Sequence, residues 1–236
     1  MNKPVFIKLI FFRSLSVLAF MVASAQFLHS QGAQPANENR PNNAANLNGF
    51  DGNTWGNTYK TIKDRFLNLA ATGAADDRVD IVADFPGREL VISRKGILYR
   101  YVFYLKPESI RPPEKPATDT TGPNDAKPET EDVRNSARFF FVESIFPLVN
   151  SEDLYARLIE KYGKRTASTV KEEEFRGAYV WEKSDGYMVQ WVEPYKDKSY
   201  TRSIFYLSKA IKTEIEKDLQ EFQFQKEIAA LKNLLP

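Results

Sequence analysis

A proline-rich segment in the middle of the chain constrains the fold most, because it divides the sequence in two. Residues 107–137 contain six prolines among Asp, Glu, Thr and Lys. Proline fixes φ and removes a backbone donor, so neither helix nor sheet is expected through such a run. The composition also offers too little apolar surface to order itself. The sequence therefore predicts a disordered Pro-rich loop over 107–137 between two structured halves, 48–106 and 138–208.

The first half, 48–106, has the pattern of one helix followed by three strands. Asn57 or Thr58 is suited to cap the helix. Apolar side chains recur after it at helical spacing: Tyr59, Ile62, Phe66 and Leu69. Three runs typical of strands follow, with Pro-Gly and Lys-Gly turns between them, at 78–85, 89–94 and 97–105.

The second half, 138–208, repeats this pattern after an apolar run at 139–149 that predicts a strand. Ser151 is expected to cap a helix that Gly163 ends. The apolar side of this helix consists of Leu154, Tyr155, Leu158, Ile159 and Tyr162. Three further strands are predicted at 178–183, 187–193 and 200–207. The two halves together predict an α+β fold built from tandem helix-plus-antiparallel-meander units.

The C-terminal residues 209–236 predict one more long helix, with two apolar stripes. The first stripe is Ile211, Ile215, Leu219 and Phe222. The second stripe is Phe224, Ile228, Leu231 and Leu235. The step of two residues between the stripes rotates the apolar side by about 200°, so one straight helix cannot lay both on the same sheet.

Two interpretations of the stripes remain open. The helix either breaks or bends near residues 222–225, so that both parts pack on their own domain, or it presents the second stripe to another molecule. In the second case Phe224, Ile228, Leu231 and Leu235 are the candidate partner-binding residues.

The N-terminus has the three parts of a cleavable signal peptide. Lys3 and Lys8 give a positive start, residues 14–22 are mostly apolar, and Ala23-Ser24-Ala25 is a small-residue cleavage site. The prediction is a signal peptide over 1–25, cleaved near Ala25, and a flexible Asn-, Gln- and Pro-rich leader over 26–47. The mature protein is then expected to be soluble in the periplasm, without stable membrane insertion.

Charge and cysteine content exclude several classes of protein. Three of the 33 basic residues lie in the signal, which leaves 30 against 31 acidic residues in the mature chain. Because a phosphate-tracking protein keeps a positive excess, no nucleic-acid partner is expected. The chain has no cysteine, so its stability must come from a packed core rather than from disulfides.

Candidate catalytic residues are few. The single histidine, His29, lies in the leader, so the folded part lacks both His and Cys. This removes histidine-based triads and the usual zinc ligand sets. Ser168 and Lys171 have the spacing of a serine–lysine dyad without its companion motifs. The run Glu172–Glu174 offers carboxylates for glycoside hydrolysis, although such runs are usually solvated surface. We therefore expect no catalytic, cofactor-binding or metal-binding residues, and no enzyme.

The aromatic run 97–105 allows two interpretations. Alternation places Tyr99, Tyr101 and Phe103 on one face of the strand, and Arg100 and Tyr104 on the other. Burial in a core explains this pattern, as it does for the two tryptophans of the neighbouring strands, Trp181 and Trp191. The alternative is an aromatic platform for bases or sugars.

The motifs at both helices resemble a group of exported bacterial proteins. The Trp55-Gly56-Asn57-Thr58 opening and the Leu158-x-x-x-Tyr162-Gly163-Lys164 helix end are similar to those of helix-plus-meander proteins. This group includes the β-lactamase inhibitor protein and the small lipoproteins of outer-membrane assembly. The resemblance implies protein binding without an active site. The chain departs from the lipoprotein branch because it lacks the cysteine that carries the lipid.

The chain is also similar to exported proteins of spirochaetes, whose flagella rotate inside the periplasm. The similarity lies in the leader, in Tyr162-Gly163-Lys164 and in the Ile97-to-Tyr101 run. This resemblance implies a structural or protein-binding component associated with a periplasmic flagellar filament. The partner would be a flagellar sheath or envelope protein, or a second copy of the chain. The alternatives from other classes are a small-ligand or glycan-binding module and a carboxylate-dependent hydrolase.

Overall fold

A computed structural model describes residues 45–73, 78–106 and 129–234. The predicted signal peptide lies outside these ranges. So does the leader, except for residues 45–47, and so does the Pro-rich loop, except for residues 129–137. The strands are β1 Gly49–Phe50, β2 Asn53–Thr54, β3 Asp80–Phe85, β4 Glu89–Arg94, β5 Ile97–Tyr104, β6 Arg138–Asn150, β7 Ala167–Ser168, β8 Gly177–Glu182, β9 Gly186–Tyr195 and β10 Lys198–Ser208. The helices are α1 Tyr59–Thr72, α2 Glu129–Asn135, α3 Ser151–Tyr162 and α4 Lys209–Leu234, with one 3-10 turn at Glu172–Glu174.

Strands β3 to β10 form one antiparallel sheet of eight strands in the order β3-β4-β5-β6-β10-β9-β8-β7. The α+β class and both three-stranded meanders, β3-β4-β5 and β8-β9-β10, are confirmed. The long strand β6 joins them, since it pairs with β5 on one side and with β10 on the other. The two halves therefore share one sheet.

Helices α1 and α3 cover one face of this sheet and enclose the core. Tyr59, Ile62 and Phe66 of α1 are buried there with Leu158 and Tyr162 of α3. The strands contribute Tyr101, Phe103, Phe139, Trp181 and Met188 to the same core. Helix α1 is capped as predicted, because the Thr58 side chain accepts a hydrogen bond from the Thr61 amide.

Asn150, and not Ser151, caps helix α3. The Asn150 side chain accepts hydrogen bonds from the amides of Glu152 and Asp153. Ser151 is the first helical residue, and its buried hydroxyl hydrogen-bonds to that of Thr201, 2.9 Å away. The prediction was wrong by one residue because both types suit the cap, and the burial of Ser151 decides between them.

Two predicted boundaries are also corrected. Residues 129–135 form helix α2, although the composition predicted disorder there. Ala137 is buried, and its carbonyl accepts a hydrogen bond from the Tyr59 amide, which fixes the end of this segment against α1. At the end of the leader, Leu47 is buried in the core, and the Ala45 amide donates a hydrogen bond to the Lys161 carbonyl. Residues 45–47 therefore belong to the folded body.

Helix α4 lies on the face of the sheet opposite α1 and α3. Its first turns contact β9 and β10. Alternation along β5 turns Phe103 into the core and Tyr104 to the other face, where Tyr104 hydrogen-bonds to Asp218 of α4. The helix runs unbroken for 26 residues, so the break that one of the two interpretations placed near residues 222–225 is absent.

Candidate functional site

The start of α4 is tied to the body by its cap and by the buried side chain of Ile211. The Ile211 amide donates to Ser208 Oγ at 3.3 Å, and the Lys209 amide donates to the Asp185 carbonyl at 3.0 Å. The Ile211 side chain is buried. These contacts set the direction in which the helix leaves the sheet.

Asp218 anchors the helix two turns further on. Its side chain is only 4 % exposed. The Tyr104 hydroxyl donates to Asp218 Oδ2 at 2.6 Å, and the Lys106 ammonium lies 3.1 Å from Oδ1. One turn earlier, Glu214 pairs with Arg138 of β6. The helix is therefore held to β5 and β6 by polar contacts, beyond the apolar contact near its start.

The electrostatics of this anchor favour the ionised carboxylate. Burial alone would raise the pKa of Asp218, but the hydrogen bonds from Tyr104 and Lys106 outweigh it and lower the pKa. The pKa of Tyr104 is raised, first by burial and then by its hydrogen bond to Asp218. At neutral pH the tyrosine therefore donates a charge-assisted hydrogen bond, which is a strong class of hydrogen bond.

Most side chains of α4 between Leu219 and Ile228 are exposed. We call residues 219–228 the distal segment. Only Phe222 is partly buried, and the Lys226 ammonium lies 4.4 Å from its ring centroid. Three large apolar side chains are exposed here, Leu219 by 49 %, Phe224 by 62 % and Ile228 by 36 %.

The described residues of the second stripe, Phe224 and Ile228, face away from the sheet. At about 100° per residue, Ile211, Asp218 and Phe222 share one side of the helix, and Ile211 and Asp218 are buried there. Phe224 and Ile228 lie on roughly the opposite side, and both are exposed as that position requires. Of the other two candidate residues, Leu231 lies within α4, and Leu235 lies outside the described residues.

The outer face of the sheet also holds a buried ionic cluster around Arg100. Its guanidinium lies 3.1 Å from Glu89 Oε2 and 3.0 Å from Glu143 Oε2, and its Cζ lies 5.8 Å from the ring centroid of Phe141. The Ser203 hydroxyl donates to the other Glu143 oxygen at 3.2 Å. Because Arg100 is committed to these neighbours, it does not form a stacking platform for bases or sugars.

The other aromatic candidates are mostly structural. Tyr101 and Trp181 are fully buried, and the Trp181 indole donates to the Gly163 carbonyl at 2.7 Å. Tyr104 is the anchor of α4, and Trp191 is half-buried on the outer face. Burial in a core is therefore confirmed for Tyr101, Phe103 and Trp181.

The two candidate catalytic motifs form an exposed turn. Lys171 donates to Glu174 at 2.8 Å, while Ser168 Oγ accepts from the Val170 amide. The hydrogen bond and charge of Lys171 lower the pKa of Glu174. A general acid for glycoside hydrolysis requires the opposite shift. This arrangement is that of a solvated surface turn.

One shallow cleft combines an aromatic residue with polar groups. It has a volume of about 510 Å³ and lies between the β1–β2 hairpin, the β8–β9 turn and the start of α4. Its lining consists of Asn48, Trp55, Ser184, Asp185, Ser208, Lys209, Ala210 and Thr213. The Trp55 indole donates to the Leu47 carbonyl, so one edge of its ring is already fixed by the backbone.

No family model, curated protein or solved structure matches this chain. Within the described residues, no three His, Cys, Asp or Glu side chains are grouped as metal ligands. Across the same residues, no helix combines the length and apolar character needed to cross a membrane.

The sequence did not predict the contact of Asp218 with Tyr104 and Lys106, which holds α4 to the body. Asp218 lies on the inward side of the helix, three residues after Ile215 and four before Phe222. A charged residue in the middle of an apolar stripe is a signal of a buried polar contact. The sequence places its partner Tyr104 on the correct face of the strand, but it does not show that α4 crosses that face.

Proposed function

We propose that this chain is a non-enzymatic, exported periplasmic protein that binds another protein through the second stripe of α4. The observation that supports this most is the exposed pair Phe224 and Ile228, on the side of α4 opposite the buried Ile211 and Asp218. An amphipathic helix that lays an apolar line into a groove is a common mode of protein recognition.

The burial of exposed apolar side chains by a partner is favourable in free energy. Complete burial of one side chain such as Phe or Ile contributes about 1.5–3 kcal/mol. Phe224 and Ile228 together can therefore supply several kcal/mol to an interface, and Leu231 and Leu235 continue the same spacing in the sequence. The anchor at Asp218 holds the helix in place, which reduces the entropy that a partner would have to overcome.

The most specific form of the proposal is a structural component associated with a periplasmic flagellar filament. Its support is the resemblance to exported spirochaete proteins in the leader, in Tyr162-Gly163-Lys164 and in the Ile97-to-Tyr101 run. The partner is then a flagellar sheath or envelope protein, and no nucleic acid or stable membrane insertion is involved. The predicted signal peptide provides the route to the periplasm.

Affinity capture from the native envelope tests this function. The tagged chain is compared with a double variant, Phe224→Glu with Ile228→Glu. Leu219→Glu is the matched control, because Leu219 is an exposed apolar residue on another side of the same helix. We expect flagellar proteins to be recovered with the unmodified chain and the control, but not with the double variant. Equal recovery of flagellar proteins with all three forms of the chain would exclude the stripe as their binding surface. A capture that contains no flagellar protein would contradict the flagellar assignment.

A glycan-binding role is the second candidate, and the cleft at Trp55 favours it. An aromatic ring beside amide, hydroxyl and carboxylate groups suits a sugar, which presents an apolar face and a rim of hydroxyls. A glycan array tests this role with the Trp55→Ala and Asp185→Asn variants. Binding lost in both variants would support the role, and an array without any binding would exclude it.

A further inference from the structure

The step from Asn48 to Gly49 lies in the wall of the cleft, where the β1–β2 hairpin begins. Asn48 is exposed and lines the cleft together with Ser184 and Asp185. An asparagine followed by glycine is the dipeptide most prone to spontaneous deamidation, because glycine has no side chain to hinder closure of a succinimide ring. Water, which this reaction consumes, reaches the Asn48 side chain because that side chain is exposed.

The hairpin leaves the amide of Gly49 pointing away from the paired strand. The Trp55 amide donates to the Asn48 carbonyl at 3.1 Å, so these two residues form a hydrogen-bonded pair. The next pair, Gly49↔Thr54, is then a non-hydrogen-bonded pair, because the two kinds alternate along antiparallel strands. The Gly49 nitrogen is therefore not held by β2 and can approach the side chain of the residue before it.

The fold requires glycine at position 49. A Cβ added there would lie 2.0 Å from the Asn53 carbonyl oxygen. No side chain fits at that distance from a backbone atom, so the hairpin needs the same residue that makes ring closure easy.

Asn150 shows how the fold holds another asparagine. It precedes Ser151 and not a glycine, and its side-chain oxygen accepts hydrogen bonds from the amides of Glu152 and Asp153, at 2.9 and 3.2 Å. Ring closure at Asn150 would break the cap of α3. At Asn48, in contrast, the backbone carbonyl pairs within the hairpin and the side chain lines the cleft.

We propose that Asn48 is a site of spontaneous deamidation in the folded protein, with water as the co-reactant. The Gly49 nitrogen loses its proton, attacks Asn48 Cγ and forms a C–N bond. The bond from Cγ to the side-chain nitrogen breaks, and that nitrogen takes up a proton and leaves as ammonia. Water then opens the succinimide ring: cleavage between the Gly49 nitrogen and Cγ gives aspartate, and cleavage between that nitrogen and the backbone carbonyl carbon gives isoaspartate. Overall an amide and water become a carboxylic acid and ammonia, with no oxidation or reduction.

Both products change the cleft, and isoaspartate also changes the hairpin. Each product replaces a neutral amide with a carboxylate that is ionised at neutral pH, in a lining where Asp185 already supplies one. Isoaspartate adds a carbon to the main chain between residues 48 and 49, which the register of β1 with β2 does not accommodate. The hairpin carries Phe50, whose ring centroid lies 4.6 Å from that of Tyr206, so its displacement loosens this part of the core.

Peptide mapping by mass spectrometry tests the proposal on the full, folded chain aged at mildly alkaline pH. We expect the peptide that contains Asn48 to accumulate deamidated products severalfold faster than the peptide that contains Asn150. Electron-transfer fragmentation distinguishes aspartate from isoaspartate in these products. Asn48→Gln is the matched control, because it keeps an amide at this position but would have to close a larger ring. It should abolish the acidic species that anion-exchange chromatography separates from the parent chain.

Deamidation of Asn48 in the urea-unfolded chain but not in the folded chain would overturn the proposal, because the fold would then protect the site. Equal rates at Asn48 and Asn150 in the folded chain would also overturn it. The isolated isoaspartate fraction is expected to unfold at a lower urea concentration than the unmodified chain. Identical unfolding of the two would contradict the displacement of the hairpin.

Discussion

At the scale of single residues, Asp218 holds α4 to the body through Tyr104 and Lys106. It is the last buried residue along the helix whose side chain is described. Tyr104 and Lys106 supply the hydrogen bonds that compensate its burial. A carboxylate held in this way is costly to remove, because its two donors would then lose a charged acceptor.

We predict that Asp218→Asn lowers the free energy of unfolding at neutral pH by about 1–2 kcal/mol, as for other charge-assisted hydrogen bonds. Because the pKa of Asp218 is lowered in the fold, its contribution is present above the unfolded pKa, about 3.9, and is lost as the pH falls through the folded pKa. Urea unfolding at neutral and acidic pH measures both effects.

The control for this change is Glu221→Gln, because Glu221 is exposed on the next turn. It should leave the free energy of unfolding within about 0.5 kcal/mol. A difference between wild type and Asp218→Asn that stays constant from neutral to acidic pH would contradict the role assigned to the ionised carboxylate.

At the scale of elements, α2 is the helix that the amino-acid composition did not predict. Its last turn lies against the β3–β4 turn, where Gly87 has φ +71. A Cβ added at Gly87 would come within 2.8 Å of the Arg134 carbonyl oxygen. Since that neighbour is backbone, it cannot move aside cheaply, and the residue must stay glycine.

We predict that Gly87→Ala lowers the free energy of unfolding by about 2–3 kcal/mol, from the left-handed φ and from the clash with α2. Gly96→Ala is the matched control. Gly96 has φ +75 and nothing within 4 Å of an added Cβ, so only the backbone term of about 1 kcal/mol applies. Equal losses in the two variants, measured by urea unfolding, would show that α2 is not packed on this turn.

The sequence predicted most elements because each has a local signal. Alternation and turns placed β4 at Glu89–Arg94 without error, and helical spacing placed α1 from Tyr59. Helix α2 was missed because the prolines before it dominate the composition, although the last of them, Pro128, precedes its first residue.

The site was predicted in part. The second stripe follows from helical geometry alone, and Phe224 and Ile228 lie where that geometry places them. Contacts between residues distant in sequence determine the pairing of β6 with both β5 and β10. They also determine the path of α4 across the outer face. No local pattern encodes such contacts, so the anchor at Asp218 and Tyr104 required the structure.

At the scale of the whole molecule, one sheet unites the two halves of the sequence. Strands β5 and β6 lie on either side of the Pro-rich segment, and they pair from Leu98↔Ile145 to Tyr104↔Arg138. Residues 107–128 of that segment lie outside the described residues, and their disorder stays a prediction.

We predict that limited proteolysis cuts first within residues 107–128, and that the two fragments stay together in native size-exclusion chromatography. The β5–β6 ladder and the common core hold them. Separation of the fragments under native conditions would contradict the single sheet. A segment that resists cleavage would contradict the predicted disorder.

The outward-facing stripe of α4 is the basis of the proposed function, and site-specific photocrosslinking in intact cells tests it most directly. A photoreactive phenylalanine analogue replaces Phe224 in one strain and Leu219 in another, since both side chains are exposed in the structure. A protein-binding stripe predicts a discrete covalent product from position 224, containing this chain and a second polypeptide chain, and none from position 219. No product from position 224, or the same product from both positions, would contradict it.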